Sequence, residues 1–156
     1  MTLQKKFNAK TVIITGHTGF KGSWLVAWLK QMGAKVVGIA LDPPTEQSHF
    51  VAAQLADGMV DLRIDIRDQV ALEEAIVSAQ PDFVFHLAAQ ALVRQSYDDP
   101  GTTYMTNAIG TLNLLEALRP LEKKCTAVLI TSDKCYNNVE WVWGYRETDA
   151  LGGPDP

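Results

Sequence analysis

The sequence predicts an α/β protein built on a doubly wound parallel sheet. Five short runs rich in β-branched and aromatic residues alternate with segments of helical periodicity, and such alternation produces βαβ units with right-handed crossovers. A glycine-rich turn separates the first of these runs from the first helical segment. With 156 residues, of which 47% are hydrophobic and 21% charged, the chain can bury the core of one domain.

The β-rich runs predict the strands. The first run is bounded by Gly16, and the second ends before Pro43 and Pro44, because a residue that precedes proline avoids the helical region. The fourth run is apolar almost throughout, as expected for a strand that is buried on both faces. The predicted strands are 11–15, 35–41, 60–66, 82–88 and 127–131.

Helical periodicity fills the intervals between these strands. In the first helical segment Trp24 and Trp28 recur at helical spacing, and we expect them to anchor the helix in the core. Asp68 is placed to cap the second helix, and Pro81 ends it. The predicted helices are 22–32, 68–79 and 100–118.

Composition excludes several classes of function. Fourteen Lys and Arg against eighteen Asp and Glu give a net charge of −4, which argues against nucleic acid or an anionic membrane as the main partner. Cys125 and Cys135 belong to no Cys-x-x-Cys or Cys/His cluster, so we expect free thiols and no metal site. The sequence contains neither a secretory signal nor an apolar run of membrane-spanning length. We therefore expect a cytoplasmic protein.

The turn Gly16-His-Thr-Gly19-Phe-Lys-Gly22 predicts a dinucleotide site. Glycines here permit a tight turn and a close approach of the backbone to a pyrophosphate, and the helix that follows offers free N–H groups to the phosphates. Asp42 comes twenty positions after Gly22, as suits a carboxylate that accepts the ribose hydroxyls of adenosine and repels a 2′-phosphate. These features predict a Rossmann-type fold with NAD as cofactor. The alternative is a plain glycine turn in which Asp42 only caps a loop.

Two other interpretations concern the same region. A P-loop fits poorly, because the order Gly-Lys-Ser is reversed in Lys21-Gly22-Ser23. We expect the backbone of His17 to matter more than its ring, since it lies inside the turn.

His86, in an apolar strand, is expected to be a hydrogen-bonded core residue.

The Gly-x-x-Gly-x-x-Gly spacing resembles the extended short-chain dehydrogenase/reductase family, which includes nucleotide-sugar epimerases and dehydratases. Asp65-Ile66, His86-Leu-Ala-Ala-Gln90 and Asn107-Ala-Ile-Gly110 resemble further segments of that family in order and spacing. The resemblance implies an NAD site that includes the glycine turn. Its expected cofactor contacts are Gly16, Thr18, Gly19, Phe20, Lys21, Gly22, Asp42, Asp65, Ile66, Leu87, Ala88, Ala89, Gln90, Asn107 and Thr131.

Within the family, the segment Thr131-Ser-Asp-Lys-Cys-Tyr136 resembles the CDP-glucose 4,6-dehydratase group. The resemblance implies that NAD takes hydride from sugar C4 while a tyrosine that this sequence lacks takes the C4 hydroxyl proton. A base then removes the C5 proton, an acid assists loss of the C6 hydroxyl, and hydride returns to C6. It makes Asp133 the acid and Lys134 the base, with Thr131 or Ser132 hydrogen-bonded to the C4 hydroxyl. Lys134 would first have to lose its proton, through burial or a nearby cation. Alternatively, Asp133 and Lys134 are an exposed charged pair that opens a loop.

Family members also carry a Tyr-x-x-x-Lys pair, and no tyrosine of this sequence has lysine four positions later. The resemblance therefore implies that residues 1–136 form part of an NAD-binding domain and that residues 137–156 are an irregular active-site segment. The substrate domain is then expected to lie outside this sequence, and the chain alone is expected to be inactive.

The resemblance further implies a nucleotide-sugar substrate and a homodimer or higher homo-oligomer. Helix 100–118 would form the interface, with Tyr104, Leu112 and Leu115 facing either a partner or the sheet. Three alternatives remain open at this point. They are a dehydratase for UDP- or GDP-sugars, a nucleotide-sugar 4-epimerase, and a non-catalytic NAD-binding module.

Overall fold

The structure, a computed structural model, describes residues 2–153 and confirms the predicted α/β class. The strands are β1 (Thr11–Thr15), β2 (Lys35–Ala40), β3 (Val60–Arg63), β4 (Phe83–His86) and β5 (Thr126–Leu129). The helices are α1 (Leu3–Phe7), α2 (Phe20–Gln31), α3 (His49–Ala52), α4 (Gln69–Ala79), α5 (Val93–Asp98), α6 (Pro100–Tyr104) and α7 (Gly110–Leu118). A π-helical turn, Met105–Ile109, joins α6 to α7, and a 3₁₀ turn, Asp133–Cys135, follows β5.

The five described strands form one parallel sheet in the order β3-β2-β1-β4-β5. The order reverses between β1 and β4, which is where doubly wound sheets open a crevice for ligands. Thr15, the last residue of β1, pairs with Ile39 of β2 and His86 of β4. The carboxyl ends of the three central strands therefore lie side by side.

Side chains that alternate along the central strands supply a core on each face of the sheet. Val12 and Ile14 of β1 point to the side of α2, where Val26 and Leu29 are fully buried. Ile13 points to the opposite side, against α4 and α7. Burial of each such side chain contributes roughly 1.5–3 kcal/mol, so the two layers hold the central strands firmly. The predicted cap is present as well, since Asp68 accepts a hydrogen bond from the Ala71 N–H at 3.1 Å.

Trp24 and Trp28 are not core anchors, contrary to the sequence expectation. Their side chains are 56% and 53% exposed. Helix α2 instead turns small residues, Gly22 and Ser23, toward the sheet, so that it packs closely behind the glycine turn. Trp24 stacks on the ring of His49 at a centroid distance of 4.1 Å.

Some element boundaries differ from the prediction, and the structure contains short helices that the sequence did not predict. Strands β3 and β4 end before the predicted 66 and 88, because the chain leaves the sheet to form the site. Helices α1, α3 and α5 have six residues or fewer, too few for a visible period.

Cys125 and Cys135 are free thiols, as predicted. None of the helices within residues 2–153 is long and apolar enough to cross a bilayer.

Candidate functional site

Hydrogen bonds between strand ends bring the sequence-predicted site segments to one edge of the sheet. The Gly16 N–H donates to the Ile39 carbonyl at 2.8 Å, which continues the pairing of β1 with β2. The Leu87 N–H donates to the Thr15 carbonyl at 3.1 Å, and the Ile130 N–H donates to the His86 carbonyl at 3.0 Å. The glycine turn and the segments after β4 and β5 thus begin at a common edge, as parallel strands require.

The glycine turn is packed so tightly that two of its glycines cannot carry side chains. Gly16 has φ +74°, and a Cβ there would lie 2.7 Å from the Ala88 backbone nitrogen. A Cβ on Gly22 would collide with the carbonyl oxygen of Gly16. Gly19 is the N-cap of α2 and supplies no side-chain cap, and the first turn contains no acidic residue. The first N–H groups of α2 are therefore available to an anion, so the turn fits a pyrophosphate.

The remaining residues of the turn divide into one that holds the loop and two that face solvent. The Thr18 hydroxyl donates to the Leu41 carbonyl at 3.1 Å, so this buried side chain ties the turn to the end of β2. Phe20 and Lys21, at the start of α2, are exposed. Thr18 therefore supports the turn, whereas Phe20 and Lys21 lie where a bound ligand could reach them.

The ring of His17 does more than the sequence suggested. It is fully buried, its Nε2 lies 2.8 Å from Asp61 Oδ1 on β3, and it meets the Phe50 ring edge-on at 5.1 Å. Burial lowers the pKa of His17, although the hydrogen bond to Asp61 acts in the opposite direction. The position of His17 inside the turn favours a role for its backbone, and the structure adds a role for the ring, which passes over Gly38, where a Cβ would lie 2.5 Å from it, and reaches β3.

Asp42, the predicted ribose carboxylate, projects into solvent beside an arginine. Its side chain is 90% exposed, and its Oδ1 lies 3.4 Å from Nε of Arg63, the last residue of β3. Arg63 donates through Nη2 to Asp61 Oδ2 at 2.8 Å. The side chains of Asp42 and Arg63 thus meet beyond the carboxyl ends of β2 and β3.

Asp65 and Ile66 adopt different positions just beyond β3. The Asp65 carboxylate accepts hydrogen bonds from the Arg67 backbone and from its guanidinium, with Nε at 2.9 Å, and these bonds hold the pKa of Asp65 below its ordinary value. The Ile66 side chain is buried against Gly110, and its carbonyl accepts from Asn113 at 3.0 Å. Any ligand contact by Ile66 must therefore come from its backbone.

His86 is a hydrogen-bonded core residue, as predicted, and it sits in a chain of bonds that reaches the site. Its Nδ1 lies 2.7 Å from Thr15 Oγ1 and its Nε2 lies 3.1 Å from Thr111 Oγ1. The Thr15 hydroxyl oxygen also accepts the N–H groups of Leu87 and Ala88, each at 3.2 Å. Leu87 and Ala88, two expected cofactor contacts, are thereby fixed through their backbones.

The partners of His86 determine its tautomer. The Thr111 hydroxyl donates its single hydrogen to the Asn107 carbonyl at 2.7 Å, so it must accept from Nε2–H of His86. Nδ1 is then the acceptor for the Thr15 hydroxyl, whose lone pairs serve Leu87 and Ala88. Every group in the chain is satisfied only when the ring is neutral, and burial lowers the pKa of His86 in agreement with that state.

The π-helical turn supplies the side chain that holds Gln90. Asn107 Oδ1 accepts the Gln90 N–H at 2.8 Å, and Asn107 Nδ2 donates to the Gln90 carbonyl at 3.0 Å. The Gln90 side chain in turn donates to Thr103 and accepts from the Leu92 N–H. Ala89, between these anchored residues, is exposed. Asn107 therefore holds the loop after β4.

Ser132, Asp133 and Lys134 open an exposed 3₁₀ turn directly after Thr131, which is also exposed. The Ser132 hydroxyl donates to Asp133 Oδ1 at 3.1 Å and accepts the Lys134 N–H at 3.2 Å. Lys134 Nζ lies 3.6 Å from Asp133 Oδ1, with the two side chains 56% and 89% exposed. The Ser132 bond and the lysine charge lower the pKa of Asp133, so its carboxyl is ionised at neutral pH.

This arrangement lacks what the expected chemistry requires of the pair. A general acid must carry a proton, yet Asp133 is held as a carboxylate. The expected base, Lys134, is exposed, and its near neighbour is the carboxylate. The two side chains are adjacent, as the resemblance implied, but their surroundings would have to change before they could work as acid and base.

Three residues that support the site were missed by the sequence reasoning: Thr15, Thr111 and Arg63. Strand register alone could have revealed Thr15, since it pairs directly with His86 and both end their strands. Thr111 lies one helical turn after Asn107, on the same face of the long helix. Arg63 gave no local sequence signal, because it joins Asp61 to Asp42, which follows a different strand.

Known proteins share this architecture. A family model described as GDP-mannose 4,6 dehydratase matches residues 13–156. The chain belongs to this family. It is 52% identical over 155 residues to the CDP-glucose 4,6-dehydratase of Salmonella typhimurium, a match that covers 99% of the chain and 43% of that protein. It is 33% identical over 146 residues to the GDP-mannose 4,6-dehydratase of Vibrio cholerae, covering 85% of the chain and 38% of that protein.

Solved structures of family relatives have the same fold. The UDP-glucose 4-epimerase of Thermus thermophilus, in complex with NAD, superposes with a TM-score of 0.78 at 30% identity, over 91% of the chain and 44% of that structure. The UDP-glucose 4-epimerase of Brucella ovis, also in complex with NAD, gives 0.78 at 28% identity, over 93% and 42%. The chain thus spans less than half the length of these relatives.

Proposed function

We propose that the chain is the NAD-binding portion of a nucleotide-sugar 4,6-dehydratase that converts CDP-glucose to CDP-4-keto-6-deoxyglucose. The observation that carries the proposal is the 52% identity to a CDP-glucose 4,6-dehydratase over 99% of the chain. The glycine turn at the edge of the sheet, which can accept a pyrophosphate, is the physical basis for proposing NAD as the cofactor. The chain matches 43% of that relative, so the activity is proposed for a protein that includes the remaining portion.

NAD fits the residues at the edge of the sheet. The pyrophosphate would lie on the Gly16–Gly22 turn, where the free N–H groups of α2 face it. The adenosine end would meet Asp42 and Asp65, and the nicotinamide end would lie along Leu87–Gln90 and Thr131, held from behind by Asn107. When bound, NAD supplies a hydride acceptor for the sugar.

The segment after β5 would then supply proton transfer. In the proposed reaction Lys134 takes the C5 proton, Asp133 gives a proton to the departing C6 hydroxyl, and Ser132 bonds the C4 hydroxyl. A sugar placed on this turn would exclude water from both side chains, and desolvation raises the pKa of a carboxyl and favours a neutral amine. Substrate binding would thus move both groups toward the states that they need.

The acid–base pair favours dehydration over epimerisation. A 4-epimerase removes hydride from C4 and returns it to C4, so it needs no groups that act on C5 and C6. An aspartate and a lysine on one turn, 3.6 Å apart, are residue types that could act as the acid and the base of a dehydratase once a bound sugar changes their surroundings. A relative named for GDP-mannose shares the family, and turnover of sugars carried on different nucleotides distinguishes the two substrates.

The proposed partner is a second copy of the chain. Tyr104, Leu112 and Leu115 point away from the sheet, with 74%, 49% and 44% of their surfaces exposed. They lie on the long α6–α7 helix, whose inner face is occupied by Leu114 and Ala117. The outer face is therefore open to pack against the same helix of another protomer.

Two measurements test the proposal. Calorimetric titration of the chain with NAD tests the cofactor, and no heat of binding to a folded sample would contradict it. A full-length protein that contains residues 1–156 with its own remaining portion can also be supplied with CDP-, UDP- and GDP-glucose. We expect loss of one water from CDP-glucose alone, with Asp133→Asn and Lys134→Gln abolishing turnover while NAD binding persists. Formation of epimerised sugar without dehydration would reject the dehydratase assignment.

A further inference from the structure

The arginine beside the predicted ribose carboxylate carries a further inference. Arg63 ends β3, and its guanidinium donates to Asp61 Oδ2 at 2.8 Å and to the Leu41 carbonyl at 3.3 Å. Its Nε lies 3.4 Å from Asp42 Oδ1. One guanidinium therefore links a carboxylate inside β3 to a second carboxylate at the solvent edge.

The position of Arg63 does not depend on Asp42. The guanidinium lies 5.5 Å from the centre of the Phe50 ring, which restrains its plane, and Asp61 holds one end of its fork. The Asp61 carboxylate is itself held by the buried ring of His17. Asp42, in contrast, is almost fully exposed, while the Arg63 side chain is only 34% exposed. Removal of the Asp42 charge would leave the arginine in place with a vacant donor toward the ribose position.

Charge determines what this donor can bind. Two carboxylates and one guanidinium leave the cluster with a net negative charge, which repels the roughly −2 charge of a phosphate monoester. Without the Asp42 charge, Asp61 and Arg63 balance. The Nε–H that faces Asp42 is a charged donor suited to a phosphate oxygen, and an arginine near this place in a dinucleotide fold accommodates a 2′-phosphate.

We propose that Arg63 is a second determinant of dinucleotide choice, a 2′-phosphate-binding group that Asp42 masks in the native chain. The proposal rests on the proposed NAD function. Asp42 then has two effects, since it accepts the ribose hydroxyls and it occupies the guanidinium that would otherwise bind the phosphate of NADP.

The experiment compares NAD and NADP binding by calorimetry for the chain and its variants. We expect the native chain to prefer NAD, and Asp42→Asn to tighten NADP about tenfold, the effect of one hydrogen bond to a charged group. Asp42→Asn combined with Arg63→Gln should lose the gain in NADP affinity. The control is Asp42→Asn combined with Arg119→Gln, which removes an exposed arginine just after α7 and should keep the gain. Excess inorganic phosphate should displace NADP from Asp42→Asn only weakly. Such a result would show that the site binds the 2′-phosphate as part of the dinucleotide and not any free anion.

The outcomes separate this proposal from the proposed function. If the native chain binds NAD but Asp42→Asn/Arg63→Gln binds NADP as tightly as Asp42→Asn, Arg63 is not the determinant. If the folded native chain binds neither NAD nor NADP, the proposed NAD-binding function is rejected, and the proposal for Arg63 is rejected with it. Should Arg63→Gln fail to fold, Arg63→Met keeps the aliphatic stem without the charge, and retention of the full NADP gain in Asp42→Asn/Arg63→Met would also overturn the proposal. Circular dichroism establishes folding for each variant.

Discussion

At the scale of single residues, His86 connects the protonation state of a buried ring to the geometry of the site. Its neutral Nε2–H form satisfies Thr15 and Thr111 together, and through Thr15 it fixes the N–H groups of Leu87 and Ala88. A second ring proton would face the Thr15 hydroxyl, whose lone pairs are already in use. Protonation would therefore break the chain of bonds that holds the loop after β4.

This linkage predicts acid sensitivity. Burial lowers the pKa of His86 below the ordinary 6.5, so as pH falls through that value the unfolded chain takes up the proton first and the folded chain loses stability. We expect the free energy of unfolding in urea to fall between about pH 7.5 and about pH 5.5, by up to about 1.4 kcal/mol per pH unit for each buried histidine. His17, whose pKa is also lowered, adds a second contribution.

The variant His86→Asn separates the two contributions. Its amide oxygen can still accept from Thr15, and it has no proton to gain in this range. We expect a lower free energy of unfolding at neutral pH, by about 1–3 kcal/mol, and a pH slope reduced by one proton. Parallel pH profiles for the native chain and His86→Asn would show that His86 does not contribute to the pH dependence of folding.

A second residue-scale prediction concerns Gly22. A methyl group there would strike the Gly16 carbonyl, a backbone atom that cannot move without opening the turn. Gly22→Ala should lower the free energy of unfolding by about 1–3 kcal/mol, as overpacking does, and weaken NAD binding to below detection. Gly144→Ala is the matched control, because no atom lies within 4 Å of the Cβ that it adds. Equal effects of the two changes in urea titration and calorimetry would show that the turn tolerates the methyl group.

At the scale of elements, the sequence predicted what depends on repeated local patterns. The five strands, the cap at Asp68 and the glycine turn all carry signals that extend over several residues, and the structure contains them. The ring of His17 could not be placed, because its partner Asp61 is 44 positions away and only strand order brings them together. Trp24 and Trp28 were misplaced for a related reason: helical spacing identifies a face but not which face meets the sheet.

The π-helical turn Met105–Ile109 illustrates the same limit. Sequence resemblance made Asn107 a cofactor contact but gave no sign that both ends of its amide bond to the Gln90 backbone. An inserted π turn shifts the helix register by one residue, and such turns recur at functional sites. Here the shift accompanies the presentation of Asn107 to the loop after β4.

Replacement of this amide tests the role of the turn. Asn107→Ala removes two hydrogen bonds to Gln90, and at about 0.5–1.5 kcal/mol each the free energy of unfolding should fall by about 1–3 kcal/mol. Hydrogen exchange of the Gln90 amide should accelerate more than exchange in α7, and NAD affinity should fall. Ala108→Ser, an exposed change in the same turn, serves as control. Unchanged Gln90 exchange in Asn107→Ala would show that the amide does not hold the loop.

At the scale of the whole molecule, the chain presents two unlike faces. On one face α2 packs over β1, with Trp24 and Trp28 exposed and the ring of Trp24 stacked on His49. On the other face α7 packs on α4 and the sheet, and its outer surface bears Leu112 and Leu115 with no covering element among residues 2–153. Apolar residues repeated along one helix face in this way are typical of a surface that meets another protein.

The proposed homodimer predicts the effect of charge on that outer surface. Leu112→Lys combined with Leu115→Lys would place two ammonium groups opposite their own copies, so association of the protomers should weaken. The core contains Leu114 and Ala117 instead, so the free energy of unfolding should change by less than about 1 kcal/mol. Leu3→Lys, a similarly exposed leucine on α1, should leave association unchanged. Sedimentation equilibrium over a range of concentrations measures the result. A dimer that persists in the double variant would place the interface elsewhere, and a monomer in the native chain at every concentration would remove the homodimer from the proposal.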